Sequence, residues 1–270
     1  MKSALILMAH SLKRVRTLVL VMGIVLAGFQ VLLTLVAGSL ESSNAFGQIQ
    51  ALVPDFVRQL MGPSFVGLMS FSGIVSIGYF HLAVMGSLVG LIIALATEPA
   101  SEIETRFMDL ILSRPLARSL VITRSIIVIA ICTTFVLAMM AVGTWAGLNW
   151  FAPEGAEWPA PNLIRSMAIN LGALMLCWGG VALAISSVSR RRSVAGALTG
   201  LLALATFLLD YVARAWQPAE SVAWLSPFRY YAPMDLVMGF EVSAYNLWVL
   251  VAIAIAGFAI AYIMFSRRDI

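Results

Sequence analysis

The sequence predicts an all-α, polytopic membrane protein with six transmembrane helices, and three observations support that fold class. First, 61% of the 270 residues are hydrophobic and 11% are charged, with a mean hydropathy of +0.96. A soluble domain has about 25% charged residues, so this chain lacks the polar side chains to cover itself in water. Second, six apolar runs reach the roughly 20 residues a helix needs to cross a bilayer: about 17–40, 74–97, 119–148, 164–188, 194–213 and 245–266. Third, Lys and Arg are distributed asymmetrically. With the N-terminus inside, thirteen of the 17 fall in inside segments, and Arg58, Arg165, Arg214 and Arg229 fall outside. The positive-inside rule then puts both termini in the cytoplasm, in a multi-pass protein of the plasma (bacterial inner) membrane. The net charge of +4 is thereby assigned to membrane lipid, with no nucleic-acid partner required. The chain reads as a single transmembrane domain over residues 1–270, without an internal repeat.

The N-terminal stretch places Leu5, Met8, Leu12 and Val15 on one helical stripe, with Lys2, His10, Lys13 and Arg14 away from it. That pattern predicts an interfacial amphipathic helix lying along the inner membrane surface. The apolar run behind Lys13, Arg14 and Arg16 is too long for a signal-peptide core, which predicts an uncleaved first span. Residues 41–73 and 214–244 are external, moderately apolar and interrupted by Pro54, Pro63, Pro218, Pro227 and Pro233. Their Trp216, Trp224, Tyr230 and Tyr231 suit the membrane interface. Backbone at membrane depth must be hydrogen-bonded internally, so re-entrant-type helices are expected in both, including just before span six. Arg190, Arg191 and Arg192 form a tight turn anchored at the anionic leaflet, with a contact to a cytoplasmic subunit as the alternative.

The segment between spans two and three is unlike the rest of the chain. Glu98, Glu102, Glu104, Arg106, Asp109, Arg114 and Arg118 put seven of the 30 charges into 21 residues. Within Glu102–Leu112, Ile103, Phe107, Leu110 and Ile111 recur at helical spacing. Ser101 with Glu104 fits a capping box, and Pro115 ends the helix. A short cytoplasmic helix bracketed by two spans is predicted. By spacing alone it is either an interfacial helix with a solvated polar face or an element on which something docks.

The stretch "SEIETRFMDLILSRPLARSLVITRSI" resembles the segment after span two of ABC-2 type transporter permeases, with paired acids, a leucine-rich stretch, then Ser-x-Pro and a basic residue. "WLSPFRYYAPMDLVMG" (Trp224–Gly239) is similar to the external block before their last span, and "SRRDI" (Ser266–Ile270) to their basic ending. The resemblance implies that the helix between spans two and three is a coupling helix docking on a cytoplasmic ATPase. It places Glu102, Glu104, Asp109, Leu110, Ser113, Arg114, Pro115 and Arg118 in that element. Glu104 and Arg106 are the candidates for polar contact with the ATPase, and Phe107 and Leu110 for apolar contact or membrane anchoring. The Glu-Ala-Ala loop of a different type of importer is absent. The resemblance further implies a homodimer of this chain, two ATPase copies, and export.

The chain itself is not expected to hydrolyse ATP. A P-loop needs a lysine following glycine, and the only lysines are Lys2 and Lys13. ATP and Mg would therefore be bound by the partner subunit, with no cofactor on this chain. Polar residues inside spans are candidates for a substrate path: His81, Asn170 and Gln30. For His81 a helix-to-helix hydrogen bond is the simpler reading, and for Asn170 and Gln30 interhelical hydrogen bonding. Asp210, one turn before Arg214, reads as a local ion pair. His10, His81, Cys132 and Cys177 occupy four segments without metal-ligand spacing. Gly86/Gly90, Gly143/Gly147 and Gly196/Gly200 permit close helix approach and are candidates for a dimer seam. Few charges line the spans, which favours an amphipathic, lipid-like or drug-like substrate. Two further readings remain: a secondary carrier, which would show broken helices at mid-membrane where the sequence predicts none, and a membrane component doing mechanical or assembly work on another protein.

Overall fold

The computed structural model describes residues 2–43, 45–52, 68–108 and 118–268. They are mostly helical, with no strand among them. In chain order the elements are α1 (Lys2–Ser42), α2 (Ala45–Leu52), α3 (Phe71–Phe80), α4 (Leu82–Ala96), α5 (Glu98–Glu104), α6 (Arg118–Phe151), α7 (Pro161–Val188), α8 (Arg192–Ala213), α9 (Gln217–Glu220), α10 (Pro233–Val237) and α11 (Ala244–Ser266). Two 3₁₀ turns, Ala223–Leu225 and Pro227–Tyr230, lie between α9 and α10. Six helical stretches are long and apolar enough to cross a membrane: Leu7–Ser42, Phe71–Ala96, Arg118–Phe151, Pro161–Val188, Arg192–Ala213 and Ala244–Ser266.

The expected separate interfacial helix is not formed. The 41 residues of α1 make one unbroken helix, roughly 60 Å long at about 1.5 Å per residue. No Gly or Pro occurs between Lys2 and Met22, so nothing uncouples the amphipathic start from the span behind it. Leu12 and Val15, assigned above to the lipid surface, pack partly buried against the protein core. The pattern identified an apolar face correctly; protein covers it in part.

Two close helix pairs frame the bundle. α1 and α6 run parallel, with Gly143 against the backbone of Ala27 and Gly147 against Val31 and Thr34. α7 and α11 also run parallel, with Gly180 against Ala254 and Gly257 against Gly180. α7 is the central helix, and its Met167, Leu171, Leu174 and Trp178 are fully buried. The first turns of α1, the end of α11, α5 and the Arg190–Arg192 turn gather at one end, called here the terminal end. At the far end lie six of the seven tryptophans, Trp145, Trp150, Trp158, Trp216, Trp224 and Trp248, all exposed, as expected of a belt at one membrane interface.

The segment before α11 dips into the bundle rather than looping away. Phe228 sits between Trp178 and Phe207, with ring centroids 5.6 and 5.4 Å apart. Ser226 Oγ donates to the Thr206 carbonyl at 2.8 Å. Of the first far-end segment, 41–73, residues 41–43, 45–52 and 68–73 are described, so Pro54 and Pro63 lie outside the described residues.

Candidate functional site

At the terminal end, the charged segment is built differently from the sequence expectation. α5 runs from Glu98 to Glu104, flanked by Thr97 and Thr105. Arg106 has φ 56°, the left-handed region that non-glycine residues rarely enter. The predicted helix over Glu102–Leu112 is therefore interrupted at 105–106. Thr105 Oγ1 donates to the Ser101 carbonyl at 2.9 Å, and Arg106 N–H reaches back to the Ile103 carbonyl; such local bonds tighten and end a helix. The capping box is not formed either, because Ser101 lies buried inside α5. Asp109, Leu110, Ser113, Arg114 and Pro115 lie outside the described residues.

The charges of α5 are used to fasten it. Glu102, proposed above as part of a docking element, is buried: its Oε2 accepts from Arg124 Nη2 at 2.7 Å, with side chains 3% and 4% exposed. It cannot offer a face to a partner. Glu98, counted above among the charges of the segment but not among its docking residues, pairs with Arg14 at 2.9 Å and lies 3.8 Å from Arg192. Glu104 is exposed, and its Oε2 accepts from the Arg192 backbone N–H at 2.9 Å, so it caps the positive N-terminus of α8. Arg192 Nη2 donates to the Ala94 carbonyl at the end of α4. The short segment is thus fixed to α1, α6 and α8, and α8 in turn to α4. Nearby, Arg118 donates to the Arg268 carbonyl, and Arg268 Nη1 donates to the carbonyls of Ser187 and Ser189. All six spans meet in this end. Its described exposed residues include Glu104, Thr105 and Arg106, while Phe107 is half-buried and stacks on His10 at 6.3 Å.

Replacing Glu104 by Ala is expected to cost about 1 kcal/mol, the usual value of a helix N-terminal cap. Thermal unfolding of the purified protein checks this; a loss far above 2 kcal/mol would mean that the carboxylate holds more than one N–H group.

The second region lies near mid-membrane. Span two, expected to be continuous, is broken at His81, where ψ is 134°. The break falls ten residues into the span, about 15 Å along the helix axis and so near the centre of a ~30 Å hydrocarbon layer. His81 does not make the expected helix-to-helix hydrogen bond through Nδ1. That atom accepts the Ala83 N–H at 3.2 Å and so caps the second half-helix. Its ring lies 5.3 Å from Phe29. The Tyr79 carbonyl, adjacent to the break, accepts from Tyr231 Oη at 3.0 Å, and Tyr79 Oη lies 3.1 Å from Thr144 Oγ1. No proline marks the site; the apolar run continues through it.

Gln30 lies next to this break, its amide flat against the Gly78 backbone, where a Cβ would come within 2.2 Å of Oε1. The Gln30 amide atoms and Asn170 Oδ1 are buried and have no hydrogen-bond partner among the described residues. The interhelical hydrogen bonds expected of these atoms are therefore not made. Asp210 and Arg214 form the predicted ion pair, with Nε and Nη2 at 3.1 and 2.8 Å from Oδ2. Among the described residues no group of three or more His, Cys, Asp or Glu could hold a metal.

The glycine pairs separate into two kinds. Gly143 and Gly147 are spent inside the chain against α1. Gly86, Gly90 and Gly200 have nothing within 4 Å of where a Cβ would stand. They line a shallow apolar groove of ≈ 300 Å³ between α4 and α8, with Leu82 and Leu204 at its edges. No protein-family model, curated protein or solved structure matches this chain.

Proposed function

We propose that this chain is the membrane-spanning permease subunit of an ATP-binding cassette transporter of the ABC-2 type, exporting an amphipathic, lipid-like or drug-like substrate. A separate ATPase subunit, binding ATP and Mg, docks on the terminal end, which faces the cytoplasm. The observation that carries this reading is the fastening of α5. Ion pairs and hydrogen bonds from Glu98, Glu102 and Glu104 tie it to α1, α6 and α8. A push on the exposed Glu104–Arg106 edge would move several spans together instead of bending a loose loop. The sequence resemblance names the same segment as the coupling element.

A second copy of the chain is part of the proposal. Irregular backbone at membrane depth is tolerated where protein covers it or where it lines water. His81 is exposed in the single chain and Leu82 is 61% exposed, beside the open Gly86, Gly90 and Gly200. Pairing two chains across this face covers the break and leaves a path between them.

The broken span also favours a secondary carrier, because half-helices meeting at mid-membrane are a hallmark of that class. Purification from native membranes separates the two readings. The transporter subunit should bring down a P-loop ATPase in equal amount, and Glu104→Lys should reduce that recovery at least tenfold while the chain still inserts. A chain that purifies alone, and whose membranes take up substrate on an ion gradient without ATP, would refute the permease reading.

A further inference from the structure

At the far end a cavity of ≈ 680 Å³ opens between the end of α8, the Gln217–Val237 segment and the start of α11. Its wall reaches Phe80 and Met85, one on each side of the break in span two. It is the place where the outside could communicate with the broken helix.

Its lining has a definite charge character. Asp210, Glu220 and Asp235 face Arg214 and Arg229, an excess of one negative charge. Glu220 and Arg229 are paired only at 3.5 Å, with both side chains largely in solvent, and such pairs contribute little. The pair at Asp210 is asymmetric. Arg214 is 57% exposed, whereas Asp210 is 7% exposed. Both guanidinium contacts go to Oδ2, leaving Oδ1 buried without a partner among the described residues. A desolvated carboxylate oxygen in that position lacks a donor or a cation.

Seven aromatic residues make up most of the rest of the wall, beside Met85, Ala232, Pro233, Met234 and Asn246. Tyr230 and Tyr245 meet edge to face at 6.2 Å, Phe207 and Phe228 at 5.4 Å, and Trp224 is exposed. The phenol hydroxyls of Tyr230 and Tyr231 are already spent on the carbonyls of Trp224 and Tyr79. Burial pushes the Tyr231 phenol far above its ordinary range, so it stays a neutral donor. Ring faces, rather than hydroxyls, remain for a ligand. An anion would meet the excess carboxylate. Aromatic faces around a buried carboxylate attract a cation with an apolar body.

We infer that this cavity is a binding site for an amphipathic organic cation, such as a quaternary ammonium or a protonated apolar amine, held by Asp210 and the surrounding ring faces. As the substrate class of the transporter this rests on the reading proposed above; as a binding site it does not.

The test uses two hydrophobic ions of nearly the same shape and opposite charge, tetraphenylphosphonium and tetraphenylborate. Each is titrated by calorimetry into the purified full chain in nanodiscs, with empty nanodiscs subtracted. Tetraphenylphosphonium should bind saturably at one site per chain, at least tenfold more tightly than the borate. Asp210→Asn should weaken it at least tenfold. Because that variant also loses its partner for Arg214, Asp235→Asn provides a second reading at an exposed carboxylate, expected to weaken binding about threefold with unfolding unchanged. Equal protein-specific binding of both ions, or wild-type affinity in both variants, would overturn the assignment. Cation binding without a co-purifying ATPase would leave the site standing and remove the transporter; a co-purifying ATPase without cation binding would do the reverse.

Discussion

Arg124→Ala is expected to lower the unfolding free energy by about 3–5 kcal/mol, the usual loss when one partner of a buried ion pair is removed. Arg124 and Glu102 are both almost fully buried and meet at 2.7 Å. The pair as a whole need not stabilise the fold by much, because desolvating two charges offsets their attraction. Its removal in halves is another matter. Without Arg124, Glu102 remains as a carboxylate without its countercharge, held inside by the rest of α5. Glu102→Leu should be comparably damaging, because it strands the guanidinium. The double variant Glu102→Leu/Arg124→Met should recover most of the loss, since an apolar pair of similar volume is often neutral or better. Unfolding in detergent, followed by denaturant titration, measures all three. If each single variant lies within 1 kcal/mol of the parent, the ion pair is not buried as described.

The spans were legible because their signal is additive: some 20 apolar side chains in a row outweigh any single misplaced residue. The runs beginning near 74, 119, 164, 194 and 245 agree with the helices Phe71–Ala96, Arg118–Phe151, Pro161–Val188, Arg192–Ala213 and Ala244–Ser266. The break at His81 was not legible. Hydropathy averages across it, and the residue that caps the second half-helix is a histidine, not a proline. Arg106 hid a helix end for the same reason, since only its φ, not its identity, announces the turn. Glu102 was misplaced by a different route. Helical spacing put it on the polar flank of an apolar stripe, and nothing local reveals that Arg124, 22 residues on, closes over it. Local pattern tells which face is apolar; what covers each face is a tertiary fact. The tie from Glu104 to Arg192 spans 88 residues and was equally out of reach.

The glycine pairs show the same division, and they give the second large expected effect. Gly257→Val should destabilise the protein by about 1–3 kcal/mol or more, the range for forcing atoms into a filled interior. A Cβ at Gly257 would meet the Gly180 carbonyl carbon at 2.4 Å and its oxygen at 2.6 Å, and a Cβ at Gly180 would meet the Ala254 oxygen at 2.5 Å. These neighbours are backbone atoms, which cannot swing aside as a side chain would, so α7 and α11 must separate. α7 is the buried centre of the bundle, and α11 supplies Tyr245 and Asn246 to the far-end cavity; separation therefore loosens the core and the cavity together. Gly86→Ala and Gly90→Ala should behave in the opposite way. Each adds a methyl group to open space and replaces a poor helix former by the best one, worth up to about 1 kcal/mol per position. Leucine at both positions should leave the single chain folded yet lower the dimer fraction seen by native mass spectrometry, if that groove is the seam. Unfolding of Gly257→Val indistinguishable from the parent would show that α7 and α11 are not in backbone contact. Dimers unaffected by the leucine pair would place the second copy elsewhere and leave the exposed break at His81 to be covered in another way.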